Sequence, residues 1–430
     1  METRVIKILV PFVLLASVFF IVGFMTVVNG QCQGPLKLAF LTEAGSLKNT
    51  LATLISFSFF SGYLVNGPIA GRWINRFGYK VVLLRGLLLM AIGLGIYLLS
   101  SLSAGLPENF SLAVRKAVIP YGFFIFLVGS FLMGTSAALL QTVVIPYVSA
   151  YNLPDTQPVQ RVNITCAANS LGTTIAPFFV TGVLFGGLSE SELSAGQLKV
   201  PLIILIFCIL LIWLIMRYMP LPDMPQTRVM HGDKAERSIW SFRHFRLGVV
   251  AIFFYVGAEV AVGTNINLHA LEMKTIGLNG PALLATLYWG SMMLGRIISG
   301  FFNGISARSQ LIIASVGSIV LLAITIATNN LWTLAAVGLF QSVMWGCIFT
   351  LAVEGLGKYT SQASGVFMGG VFGGAVFPIV QGILADLSSS WQRTWLLIII
   401  CEGVMLYYAV YGSRIKKGDL CCSETNNSGK

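Results

Sequence analysis

Uncharged apolar stretches recur from one end of this chain to the other, each close to the length a helix needs to cross a bilayer. About 20 apolar residues suffice for such a helix. Reading the runs against their polar breaks predicts spans near residues 7–29, 50–70, 80–100, 120–145, 162–187 and 199–219. A second set follows near 246–268, 282–304, 309–328, 331–353, 361–385 and 391–412. Closed β-strands are excluded because the runs are long and apolar on every face, whereas a barrel strand has about ten residues of alternating polarity. A soluble fold is excluded by composition: 56% of the 430 residues are apolar and 10% are charged, more apolar surface than such a fold can hide from water. The first run is too long for a secretory signal core and lacks a small-residue cleavage site, so it reads as span one.

A net charge of +11 would point to nucleic acid in a soluble protein, but here its placement matters more than its size. With an even number of spans, only Lys37, Lys48, Arg115, Lys116, Lys199, Lys274 and Arg393 of the 27 basic residues fall on one side. The richer side is expected to be cytoplasmic and to hold both termini, as in a multi-pass protein of the inner membrane. The partners expected are therefore a solute and the lipid bilayer, with no nucleic acid. Cys166, Cys208, Cys347 and Cys401 lie inside predicted spans, Cys421 and Cys422 in the tail and Cys32 near the outer face, so no structural disulfide is expected.

The longest polar connection divides the chain into a first bundle (1–219), a linker (220–245), a second bundle (246–413) and a tail (414–430). Internal similarity supports the division. Gly71-Arg72-Trp73-Ile74 follows span two, and Gly295-Arg296-Ile297-Ile298 ends span eight. Span five reads NSLGTTIAPFFVTGVL and span eleven GGVFGGAVFPIVQGIL, so Gly172 and Pro177 correspond to Gly373 and Pro378. Two matches at a six-span offset imply a duplicated six-helix unit, and two such bundles can rock about a shared midplane.

Polar side chains inside spans are costly unless they face the bundle interior or water, which makes each a candidate. Amides suit adjacent hydroxyls of a sugar, and aromatic faces suit the apolar side of its ring. Asn29, Gln141, Asn163 and Asn169 supply amides in the first half. Asn163 and Asn169 point about 120° apart on a helix, so only one of the two can face a solute directly. Glu259, Asn265, Asn267, Gln341 and Gln381 supply polar groups in the second half, with Tyr255, Trp289 and Trp345 as stacking faces. Glu259 is the candidate proton carrier, Glu354 and Glu402 being read as lying near span ends; for Glu259, Asn29 and Gln141 a helix-to-helix hydrogen bond is the competing role, and for the three aromatics a lipid-facing or packing one. His269 reads as interfacial, and Pro146, Pro177 and Pro378 as helix bends. There is no phosphate-cradling glycine loop with a lysine and no metal-spaced Cys or His cluster, so neither an enzyme nor a cofactor is expected.

The segment GRWINRFGYK resembles the loop signature of the major facilitator superfamily, in which this loop helps hold one state of the rocking cycle. The resemblance implies a latch role for Gly71, Arg72, Asn75, Arg76, Gly78 and Lys80, with Asn75 standing where an acidic residue is usual. Longer stretches resemble one branch, the fucose and glucose/galactose:proton symporters. They are GFMTVVNG, QTVVIPYVSAYNLPDTQPVQRVNITCAANSLGTTIAP, FFYVGAEVAVGTNI, LYWGSMMLGRIISG and FTLAVEGLGKYTSQASG, in order along nearly the whole chain. That likeness implies two pseudo-symmetric six-helix bundles around a central cavity, with Asn29 and Gln141 at cavity positions. It also marks departures: Asn29-Gly30 replaces Asn-Asp, Gln141 replaces a Glu, and Cys166 replaces a Gln.

The expected function is a secondary transporter importing a monosaccharide or related small polar solute by alternating access, with or without a co-transported proton or sodium, as a monomer. The alternatives are a carrier of a peptidoglycan fragment, nucleoside or drug, and a membrane-embedded transferase. A transferase would need clustered acidic or His residues at one membrane face and a large external loop.

Overall fold

The structure, a computed structural model, describes residues 2–103, 111–114, 117–151, 153–154, 156, 158–185, 195–219, 221, 238–273, 280–299, 305–356, 359, 363 and 366–415. The side chains at positions 71, 75 and 163 and most of the expected linker and tail lie outside the described residues. Helices account for nearly all of it, because a chain in hydrocarbon must satisfy its backbone polar groups within its own segment.

The first half contains α1 (Glu2–Gln31), α2 (Gln33–Phe40), α3 (Lys48–Phe77), α4 (Tyr79–Ser103), α5 (Tyr121–Ala150), α6 (Pro158–Phe179) and α7 (Lys199–Tyr218). The second contains α8 (Arg243–Glu272), α9 (Gly280–Ser299), α10 (Ala307–Thr328), α11 (Leu331–Gln341), α12 (Met344–Val353), α13 (Gly373–Ser388) and α14 (Trp391–Tyr407). Among the described residues, 11 helical segments are long and apolar enough to cross a membrane, α11 and α12 counting as one and α1 with α2 as another. Helix α3 has 30 residues and falls outside that set because Ser56, Ser58, Ser61 and Asn66 dilute its apolar character. With it, twelve long helices form two bundles. A short hairpin, β1 (Ser111–Val114) with β2 (Ala117–Pro120), precedes α5.

Local chemistry sets several ends. Ser306 accepts the Ser309 N–H at the start of α10, and Asn330 accepts the Trp332 N–H at the start of α11. Asn329 closes α10 in the left-handed region at φ 55°. Gly78 alone separates α3 from α4 and has φ 77°, a conformation that only glycine adopts without strain. On α7 the buried residues are Leu202, Ile209 and Met216, one stripe repeating every seven positions, while Val200 and Phe207 are each 66% exposed. One narrow seam of α7 therefore packs on α4, and the rest faces lipid.

Within the first half α1 packs on α6 and α5 on α3 and α4; within the second α8 packs on α13, α9 on α11 and α10 on α14. Two small-residue contacts show the duplication in atoms. A Cβ at Gly172 would meet the Phe20 carbonyl and the Phe24 nitrogen of α1; one at Gly373 would meet the Phe253 carbonyl and the Gly257 nitrogen of α8. Each glycine admits the first helix of its own bundle at the same step.

The Gly-Arg repeat needs a correction. Gly62 and Gly134 bring α3 against α5 as Ser291 and Gly338 bring α9 against α11. From these anchors Gly71 lies nine residues beyond Gly62, whereas Gly295 lies only four beyond Ser291. Arg296 is therefore about a turn and a half deeper in its helix than Arg72 is in α3. Span one also differs from its expected end at 29, because α2 continues it to Phe40 and stays buried.

Candidate functional site

Three helices and a helix break meet at mid-depth between the bundles. Helix α8 carries Glu259 near its middle, α9 carries Arg296 and α6 carries Ser170. Arg296 Nη1 donates to Ser170 Oγ at 2.7 Å, and Nη2 stands 4.0 Å from Glu259 Oε1. The Arg296 Nε–H reaches the Ser342 carbonyl at 3.4 Å. That carbonyl is free because the tenth span breaks between α11 and α12 at Ser342 and Val343, and broken helices of this kind expose backbone acceptors where they line a cavity. Arg296 keeps 40% of its side-chain surface and Glu259 16%, so the ion pair is loose and partly open. A guanidinium and a carboxyl spaced in this way offer donors and acceptors to a ligand's neighbouring hydroxyls.

A second layer holds this cluster. Tyr255 donates to the Gln341 carbonyl at 3.1 Å, and Tyr288 donates to the Glu259 carbonyl at 3.0 Å and to Gln341 Oε1. Gln341 Nε2 donates to Glu402 Oε1 at 2.8 Å. Trp345 is half-buried with its ring edge-on to Tyr255 and Phe367. Trp289 packs over Gly263, and its buried Nε1–H has no partner. Gln141 is half-buried, and its amide makes no hydrogen bond among the described residues.

The remaining amides are engaged elsewhere. Asn29 Oδ1 accepts from Tyr97 and from Ser130, the latter at 2.7 Å, inside the first bundle. Asn169 Nδ2 donates to the Phe19 carbonyl of α1 at 2.9 Å. Asn265 Nδ2 donates to Gln381 Oε1 at 2.9 Å, and Gln381 donates to Thr394 at 3.1 Å, within the second bundle. In the expected latch loop, Arg72 and Arg76 are exposed, and Lys80 Nζ donates to the Met219 carbonyl at 2.8 Å, tying the loop to the end of α7. His269 is buried and accepts the Trp395 indole N–H on Nδ1.

Toward the face where α1 ends, the two halves are joined. Lys37 is buried, bonded to Asn49 and 3.1 Å from Glu272. Asp386 of α13 accepts the Asn49 and Thr50 N–H groups at 3.2 and 2.7 Å, where its negative charge also suits the N-terminus of α3. Gln31 donates to the Gly263 carbonyl at 2.7 Å and accepts from Asn267 at 3.2 Å. A Cβ at Gly382 would lie 2.6 Å from Thr53 Oγ1, so α3 and α13 touch almost backbone to backbone.

Comparison with known proteins places the architecture. The profile of the Major Facilitator Superfamily matches residues 19–378. The chain is a member of that superfamily. This major facilitator is 32% identical over 408 residues to a glucose/galactose transporter of Brucella abortus, covering 93% of each chain. It is 24% identical over 445 residues to the L-fucose-proton symporter of Escherichia coli, covering 94% of each. Among solved structures, the E. coli fucose:proton symporter in its outward conformation matches with TM-score 0.64 and 23% identity, covering 95% of this chain and all of that one. The inward-open xylose transporter of E. coli matches with TM-score 0.72 and 14% identity, covering 96% and 97%. The protein is thus a multi-pass membrane protein of the fucose and glucose/galactose branch.

Sequence reasoning missed Arg296, Ser170 and the depth of Glu402. Arg296 was assigned to the membrane face by the Gly-Arg repeat, although it falls inside the range 282–304, which was the available signal. Glu402 lies at the middle of 391–412 and is fully buried rather than near a span end.

Proposed function

We propose that this chain is a secondary transporter that imports a monosaccharide or closely related small polar solute across the cytoplasmic membrane by alternating access. The observation that carries the reading is the Glu259–Arg296–Ser170 cluster, a half-open charged pair at bilayer depth with one residue drawn from the opposite bundle. Such groups are costly in hydrocarbon and belong beside a water-filled path. The relatives named for glucose, galactose and fucose support a sugar as the solute.

Glu259 and Arg296 bind adjacent hydroxyls, Ser170 and Gln141 face the solute from the first bundle, and Trp289 and Trp345 with Gln341 close the second. Asn29, Asn169 and Asn265 hold helices together around that pocket. Both termini are cytoplasmic, which makes the face sealed by Lys37, Glu272 and Asp386 the outer one and the state inward-facing. The bundles 1–219 and 246–413 then rock about the central cluster, with residues 71–80 latching the cytoplasmic face in the other state. The protein acts as a monomer and as a carrier rather than a transferase.

The test is uptake of a panel of labelled monosaccharides into proteoliposomes containing the purified full-length chain. Saturable uptake of one or a few sugars, competed by the unlabelled compound, is expected. Absence of uptake for every sugar, with uptake of a nucleoside or peptidoglycan fragment instead, would overturn the reading.

A further inference from the structure

Behind Gln341 of the proposed sugar site, a carboxyl is sealed inside the second bundle. Glu402 on α14 has no solvent exposure. Its Oε1 accepts the Gln341 amide at 2.8 Å, and Gln341 Oε1 in turn accepts the Tyr288 hydroxyl, which also meets the Glu259 carbonyl at 3.0 Å. Ser318 of α10 faces the same carboxyl, yet neither Ser318 Oγ nor Glu402 Oε2 has a geometrically formed hydrogen bond among the described residues. One hydrogen between those two oxygens, whether the serine's own or one carried by the carboxyl, would satisfy both.

No cation neutralises the group among the described residues. The titratable groups that reach it are the phenols Tyr255 of α8 and Tyr288 of α9 and the thiol of Cys401 on its own helix. Arg308, the one charged residue of α10, lies in that helix's first turn, and Asp386, the one charged residue of α13, is bonded to α3. An ionised carboxylate without a cation in such surroundings loses more solvation than one amide and one hydroxyl donor restore.

We infer that Glu402 is a proton-binding site of the transport cycle, and that Gln341 and Tyr288 pass its charge state to the sugar site. The proton adds to Oε2 and leaves from it, with no other bond changed. With the proton on, Oε2–H donates to Ser318. With it off, Ser318 turns to donate to Oε2 and the carboxylate draws the Gln341 N–H more tightly, pulling the amide and so the Tyr288 hydroxyl that braces Glu259. The inference rests on the sugar-carrier reading for its coupling, but not for the existence of the site.

The experiment uses Glu402→Gln in the full-length chain, which keeps shape and an acceptor for Gln341. In difference infrared spectra recorded across a pH series without sugar, the wild type shows a protonated-carboxyl stretch that Glu402→Gln lacks. In proteoliposomes with an imposed inward proton gradient, the wild type accumulates sugar while the variant only equilibrates it. A variant that keeps the band, or that still accumulates sugar, overturns the inference. If no sugar is carried at all, the carrier reading fails and the infrared band alone decides for or against the site. Should Glu402→Gln not fold, Glu402→Asp replaces it: a displaced pH dependence of the band supports the site, and an unchanged one refutes it.

Discussion

The two bundles share one six-helix plan and both use amides to fasten helices, yet the charged network at the central interface is built mainly from the second. In the first, Asn29 is held by Tyr97 and Ser130, and Asn169 by the Phe19 carbonyl. Both are spent on holding neighbouring helices together. In the second, Glu259, Arg296, Gln341 and Glu402 form a connected set reaching from the interface into the bundle core. The contacts of Gly172 and Gly373 have the same geometry in the two halves, so the backbone plan is shared while the charged groups lie mainly on one side. A duplicated scaffold can divide labour this way because helix packing depends on small residues and close backbones, whereas ligand chemistry depends on a few side chains.

The strongest way to break this comparison is Arg296→Gln. Losing hydrogen bonds from a charged group is worth about 1.5–3 kcal/mol, or tenfold to a hundredfold in sugar uptake. Uptake near wild type would return the site to the first bundle. Next is Gly382→Val, which drives a side chain into Thr53 and Asn49 where α3 and α13 touch. Overpacking there costs about 1–3 kcal/mol in the outward-sealed state. Labelling of a cysteine introduced on the face where α1 ends is expected to rise, and unchanged labelling would show that this contact does not seal that face.

A smaller effect is expected for Glu272→Gln. Its side chain is 33% exposed, so solvent screening limits the Lys37 pair to under about 1 kcal/mol, a fewfold shift toward the outward-open state in the same labelling assay. Smallest for transport is Asn29→Ala. Thermal unfolding should show a loss of about 1–2 kcal/mol, chiefly from the stranded Tyr97 hydroxyl because Ser130 keeps the Ile55 carbonyl as acceptor, with initial uptake unchanged. A large fall in sugar affinity without destabilisation would place Asn29 in the pocket and remove the contrast between the halves.

Much of the fold was legible from sequence because a bilayer imposes it: runs such as 80–100 and 391–412 have one stable solution, a spanning helix. The residues most open to misreading were those whose depth depends on partners. Arg296 and Arg72 sit in look-alike Gly-Arg motifs, but packing against α11 sets Arg296 about a turn and a half deeper, beside Glu259. Lys37 reads as an outer-loop cation, and only the continuation of α2 buries it against Glu272 and Asn49.

Apolar periodicity and small-residue motifs alone determined the helices, their number and the duplication, since these are local or repeat along the chain. Which amides fasten helices and which line the interface was decided by tertiary structure. A hydrogen bond such as Gln341 to Glu402 joins residues far apart in sequence, and its worth depends on the solvent that packing has removed.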